Sequence, residues 1–126
     1  MFLQNKDRIT HEGRNEMNNY QKLTENEMLS EKKRLKFWLI VYDDRYTKLS
    51  REFSFPNFKT AFDFANKVGA LAEEEDHHPT IFLSWGKTKV HWWTHEADGL
   101  TKLDFQMARR CDEIYEKSYR SEANEQ

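Results

Sequence analysis

Hydrophobic positions along this chain change their period several times, and each change marks a boundary. From Met1 to Lys22 the apolar residues Phe2, Leu3, Ile9, Met17 and Tyr20 stand singly among polar neighbours, with a period of neither two nor 3.6. That stretch is expected to be a flexible polar arm, residues 1–22. In "LTENEMLSEKKRLKFW" Thr24 and Glu27 have capping-box spacing, and Met28, Leu35 and Trp38 share one face, which predicts a helix from about Glu25 to Lys36. The face is thin, because Lys32 stands where a further core residue would fall, so this helix is expected to pack at an edge.

Period two takes over in "WLIVYDDRYTKLSREFSF", where Leu49, Arg51, Phe53 and Phe55 alternate and Asp43-Asp44 supplies turn chemistry for a hairpin. After Pro56, with Asn57 as cap, Phe58, Ala61, Phe62, Ala65, Val68 and Ala72 return to helical spacing. A second hairpin is predicted where "TIFLSW" and "TKVHWWTH" flank Gly86-Lys87, from the alternation of Ile81, Leu83 and Trp85 and then of Val90, Trp92 and Thr94. The last helix opens with Thr101 and Asp104 as a cap pair and carries Met107, Ala108, Cys111, Ile114 and Tyr115 on one face. From Glu116 to Gln126 the pattern reads as a polar tail, leaving one domain over residues 23–115.

The element order α-β-β-α-β-β-α implies an α+β fold, a four-stranded antiparallel sheet with three helices packed on one face. Four strands leave exposed edges, and exposed edges invite pairing with a second copy, so a homo-oligomer is expected.

Composition sharpens this. A chain of 126 residues with 37% hydrophobic and 14% aromatic residues supplies one compact core. Its 33% charged content and mean hydropathy of -1.00 are polar for a globular chain, which agrees with segments lying outside that core. With a formal charge of -2, and basic residues interleaved with acids, the chain does not read as a general nucleic-acid binder. It has neither a continuous apolar run of a secretory leader nor one of membrane-spanning length, so a soluble protein that binds no membrane is expected. The single cysteine, Cys111, excludes an intrachain disulfide and a multi-cysteine zinc site, and fits a cytoplasmic setting.

Candidate chemistry gathers in "EEEDHHPTIFLSW" and "HWWTH". Antiparallel strands run back past each other, so His95 should return near His77 and His78, with Glu73, Asp76 and Asp104 as acidic neighbours. Three imidazoles at one end of a sheet can donate and accept protons near neutral pH. The structural alternative is a hydrogen-bonded connection that only ends the preceding helix. Asp76, His78 and His95 could in principle hold zinc, but adjacent His77 and His78 point to opposite sides and no HExxH spacing is present. Cys111, mid-face on a helix, fits an inert buried thiol. Trp85, Trp92 and Trp93 are expected to be mostly core, while a ring left open beside the histidines, or Trp38, could stack on a flat heterocycle.

Glu73, three residues, "HHP", Trp85 and "THEADGLTKLD" together resemble the signature of pterin-4a-carbinolamine dehydratases, with a third histidine sixteen residues past the proline. The resemblance runs from about Leu23 to Ile114 through Trp38, the phenylalanine-rich stretch Phe53 to Phe64, and "ARRCDEI". It implies dehydration of a 4a-hydroxytetrahydropterin to the quinonoid dihydropterin, in recycling of the tetrahydrobiopterin cofactor. No metal or other cofactor is implied, since the pterin is the substrate. It implies His77, His78 and His95 as catalytic residues, Glu73, Asp76 and Asp104 as their orienters, and Trp38 at the edge of the pterin. Homodimers or homotetramers are implied as well. Two further readings follow from the same resemblance: a binding module that serves as dimerisation cofactor of a transcription factor, and a pterin-binding protein of molybdopterin metabolism. The family pattern is departed from at Gly86-Lys87, at Phe37, and in a first hairpin about two residues longer than usual.

Overall fold

The computed structural model describes residues 19–119. Its elements are α1 (Glu25–Lys32), β1 (Leu39–Asp43), β2 (Tyr46–Ser54), α2 (Phe58–Glu75), β3 (Thr80–Ser84), β4 (Lys87–Trp92), a 3₁₀ turn (His95–Ala97) and α3 (Lys102–Ser118). This is the expected order, and the strands form one antiparallel sheet arranged β1-β2-β4-β3. Residues 1–18 of the expected arm, and 120–126 of the expected tail, lie outside the described residues.

Register assigns the two faces. Leu49 pairs with Trp92, Arg51 with Val90 and Phe53 with Thr88, and this face receives α2 and α3. Leu49, Phe53, Val90 and Trp92 are at most 1% exposed there, packed with Phe64, Val68, Phe105, Met107 and Cys111. Burial raises the Cys111 thiol to about 12, which makes it the inert thiol its position suggests. On the opposite face Ser50 pairs with His91 and Glu52 with Lys89.

Several boundaries depart from the hydrophobic pattern. α1 stops at Lys32, and i to i+3 hydrogen bonds from Lys33, Arg34 and Leu35 tighten the chain so that Leu35 and Trp38 still turn inward. The first turn is Asp44-Arg45, one residue later than expected, with φ of 53° and 76° as a two-residue type I′ hairpin requires. The second turn is Trp85-Gly86, one residue earlier than expected, because Ser84 pairs with Lys87. Gly86 has φ 73°, and a Cβ there would lie a tight 3.1 Å from the Phe55 carbonyl oxygen, so glycine is favoured on both counts. Trp85 is consequently 70% exposed rather than inward.

On α2 the inward face is Ala61, Phe64, Val68, Leu71 and Ala72. Phe58 and Phe62, expected on that face, stack on each other at the surface. Both sets obey helical spacing, and the aromatic cage of Phe53, Phe55, Tyr115 and Tyr119 around Phe64 decides between them. Structure also runs past Glu116, where the polar tail was expected to begin. α3 continues to Ser118, and the Tyr119 ring is 4% exposed with its hydroxyl donating to Asp63, so residues 116–119 belong to the fold.

His91 lies on the helix-free face yet is 6% exposed, beside the Phe82 ring, with Nδ1 lacking a partner among the described residues. Burial first, then the Lys89 and Lys48 charges, hold its pKa below the ordinary 6.5. An unfolded chain therefore binds this proton more readily than the folded one, so stability is lost as pH falls through 6.5 and unaffected above it. Lowering the pH from about 8 to about 5.5 should depress the thermal midpoint of the wild type more than that of His91→Gln; parallel curves would contradict the assignment.

Candidate active site

The three histidines of interest sit where α2 ends, β4 ends and α3 begins. α2 closes on Asp76 in the left-handed conformation, φ 53°, with the His77 N–H donating to the Ala72 carbonyl at 3.1 Å. This turn reverses the chain and sends the histidine pair back toward the sheet. Asp76, expected as an orienter, thus has a backbone role as the helix terminus.

His77 is drawn inward. Its Nε2–H donates to Asp104 Oδ1 at 2.6 Å, and its ring stacks on Trp92 with centroids 5.6 Å apart and planes at 11°. Asp104 is fully buried at the start of α3. Its second oxygen accepts from the Thr101 N–H at 2.9 Å and the Thr94 hydroxyl at 2.8 Å, while the Thr94 and Thr101 hydroxyls lie 3.0 Å apart. One carboxylate therefore caps α3, holds the loop that follows β4 and places a proton of His77 on Nε2.

His78 points to solvent. Its Nε2–H donates to Glu73 Oε2 at 2.7 Å, one turn back on α2, with both side chains more than half exposed. His95 follows Thr94 directly and opens the 3₁₀ turn, which is closed by reciprocal hydrogen bonds between Thr94 and Gly99. Its ring lies 4.8 Å from Trp93 and 5.8 Å from Tyr46. His77 and His95 are thus linked through Asp104 and Thr94, and among the described residues no hydrogen bond joins one of the three imidazoles to another.

Trp38 does not border this site. It is fully buried, and its indole N–H donates at 2.8 Å to Asp112, which also accepts from Arg51 at 2.6 Å. Burial nonetheless raises the Asp112 carboxyl above its usual range, against the opposing pull of Trp38 and Arg51. Trp38 thus braces the core where an exposed stacking ring was expected. Trp92, Thr94, Thr101, Trp93 and Tyr46 are the contacts that sequence reasoning left out. Thr101 was visible as a cap, but the others depend on cross-strand register. Asp76, His78 and His95 are not drawn into a metal-binding group; among the described residues no three His, Cys, Asp or Glu side chains converge in that way. A cavity of about 500 Å³ lies elsewhere, between the segment after α1 and α3, lined by Arg34, Arg109, Asp112, Glu113, Glu116 and Lys117.

The two carboxylate partners differ in burial, and their loss should differ accordingly. Asp104→Ala strands the Thr101 N–H, the Thr94 hydroxyl and the His77 N–H in the interior, and should cost about 1 to 3 kcal/mol by urea denaturation. Glu73→Ala, at an exposed pair, should stay within about 0.5 kcal/mol of wild type. Equal losses would show that burial does not govern the pair.

Among known proteins, a family model described as pterin 4 alpha carbinolamine dehydratase matches residues 21–114. A Marinobacter nauticus protein, provisionally named a pterin-4-alpha-carbinolamine dehydratase, is 54% identical over 78 residues, covering 62% of this chain and 70% of its own. A similarly named protein of Chlorobium luteolum is 49% identical over 80 residues, covering 64% and 70%. In three dimensions the chain is similar to the crystal structure of a transcriptional coactivator/pterin dehydratase from Brucella melitensis, with a TM-score of 0.68 and 38% identity, covering 75% of this chain and 98% of that one.

Proposed function

This chain belongs to the pterin 4 alpha carbinolamine dehydratase family, and from that membership we propose that it dehydrates a 4a-hydroxytetrahydropterin to the quinonoid dihydropterin, in recycling of the tetrahydrobiopterin cofactor. In this reaction the C4a–O bond breaks, the hydroxyl leaves as water with a proton delivered to it, and N5 gives up its proton. The observation that carries the reading is the linked placement of His77 and His95 through Asp104 and Thr94, with His78 beside them in sequence.

Exposure supports a division of labour. His78 and His95 face solvent and can exchange protons with it, so they serve as the acid and base. His77, 11% exposed in its side chain and tied to Asp104, positions the substrate and supports the acid step. Glu73 holds the His78 ring in place through its hydrogen bond to Nε2. The enzyme acts in the cytoplasm, and among the described residues no helix is long and apolar enough to cross a membrane.

Dehydration of 4a-hydroxytetrahydropterin should be fast with the wild type, while His78→Ala and His95→Ala each slow it by about 10² to 10⁴. A folded wild type that leaves the spontaneous rate unchanged would overturn the reading.

The Brucella melitensis protein is described as a transcriptional coactivator as well as a pterin dehydratase, which favours a second reading, in which the helical surface binds a protein partner or a second copy. The stacked, exposed Phe58 and Phe62 on α2 support it, as do the free sheet edges β1 and β3. Homodimers or homotetramers are proposed on the same grounds. Phe62→Ser should lower the assembly mass measured by light scattering while the dehydration rate per chain holds; an unchanged mass removes α2 as the interface.

A further inference from the structure

The hairpin formed by β1 and β2 reaches past the strand it leans on. β4 ends at Trp92, opposite Leu49, while β2 already begins at Tyr46. Continuing the antiparallel register beyond β4 sets Lys48 opposite Trp93 and Tyr46 opposite His95. The rings follow that placement: Tyr46 lies 5.8 Å from His95 at 66° and 6.2 Å from Trp93 at 27°, and Trp93 lies 4.8 Å from His95 at 56°. Trp93 is itself held, with the Lys48 ammonium 4.3 Å above its ring; Lys48 is 6% exposed and paired with Asp43 at 3.6 Å.

His77 and His78 each have a carboxylate that fixes the ring, Asp104 and Glu73. Among the described residues no hydrogen bond reaches the His95 ring, although it is exposed and can otherwise turn about its side-chain bonds. Packing is what remains to orient it. Edge and tilted contacts with two aromatic rings restrict an imidazole in this way. The Trp93 indole N–H has no hydrogen-bond partner among the described residues, so it is the ring that acts.

We propose that Tyr46 and Trp93 are positioning residues for His95, a clamp of two aromatic rings that does for this histidine what a carboxylate does for the other two. Its consequence for turnover rests on the dehydratase reading, but the clamp itself is observable without turnover. Misplacing a proton-transfer group by about 1 Å costs on the order of a hundredfold in rate.

The test pairs Tyr46→Phe with Tyr46→Ala, following the His95 imidazole carbon-bound proton by NMR alongside kcat and KM. Tyr46→Phe keeps the ring and should preserve both the resonance and kcat. Tyr46→Ala should move the resonance through the lost ring current and lower kcat about ten- to a hundredfold with KM little changed. Should Tyr46→Ala fail to fold, Tyr46→Leu keeps apolar bulk without a ring and carries the same expectation. An unmoved His95 resonance and unchanged kcat in the ring-free variant would overturn the proposal. So would a Tyr46→Phe variant as slow as the ring-free one, since the hydroxyl would then act directly. A wild type without dehydratase turnover would defeat the functional reading and leave the resonance to decide the clamp.

Discussion

A carboxylate buried from solvent must find all of its hydrogen bonds inside the protein, and meeting that demand at Asp104 fixes the geometry around the end of β4. Its partners come from three separate pieces of chain: His77 after α2, Thr94 after β4, and Thr101 at the start of α3. Each of those segments would be free to drift on its own. Joined at one carboxylate, they hold His77 against Trp92 and set Thr94, and therefore His95, at a defined distance from it. The candidate site is thus built around a single interior carboxylate whose partners are polar.

A second carboxylate, the partly buried Asp112, braces another part of the helix layer. Trp38 and Arg51 both bond to it, and the Arg51 guanidinium lies 4.2 Å over Phe53, so the first loop, β2 and α3 meet there. Between these two anchors the sheet face is apolar, filled by Leu49, Phe53, Val90 and Trp92 against α2 and α3. Rigidity at the sheet is what allows an exposed His78 and His95 to hold useful positions at its rim.

The order of elements and the antiparallel sheet were legible because hydrophobic period changes at each boundary, from 3.6 in α2 to two in β2. Glu73, Asp104 and the histidines could be picked out because their residue types and spacing are unusual. What sequence could not carry was register and rotation. Both turns moved by one residue, since only strand pairing distinguishes Asp44-Arg45 from Asp43-Asp44 or Trp85-Gly86 from Gly86-Lys87. The exposure of Phe62 rather than Phe64 was settled by the cage around Phe64, which is assembled from β2 and α3. Trp38 looked like a stacking ring because its partner, Asp112, lies 74 residues away. The burial of Tyr119, beyond residue 115, has a related cause: its ring joins the core while its hydroxyl donates to Asp63, 56 residues away.

The central claim is that Asp104 sets the proton position on His77, and nitrogen-15 NMR of the imidazoles tests it most directly. His77 is expected to carry a proton on Nε2, in a slowly exchanging hydrogen bond that disappears in Asp104→Ala. A His77 protonated on Nδ1 alone, or one that interconverts freely between both forms in the wild type, would contradict it.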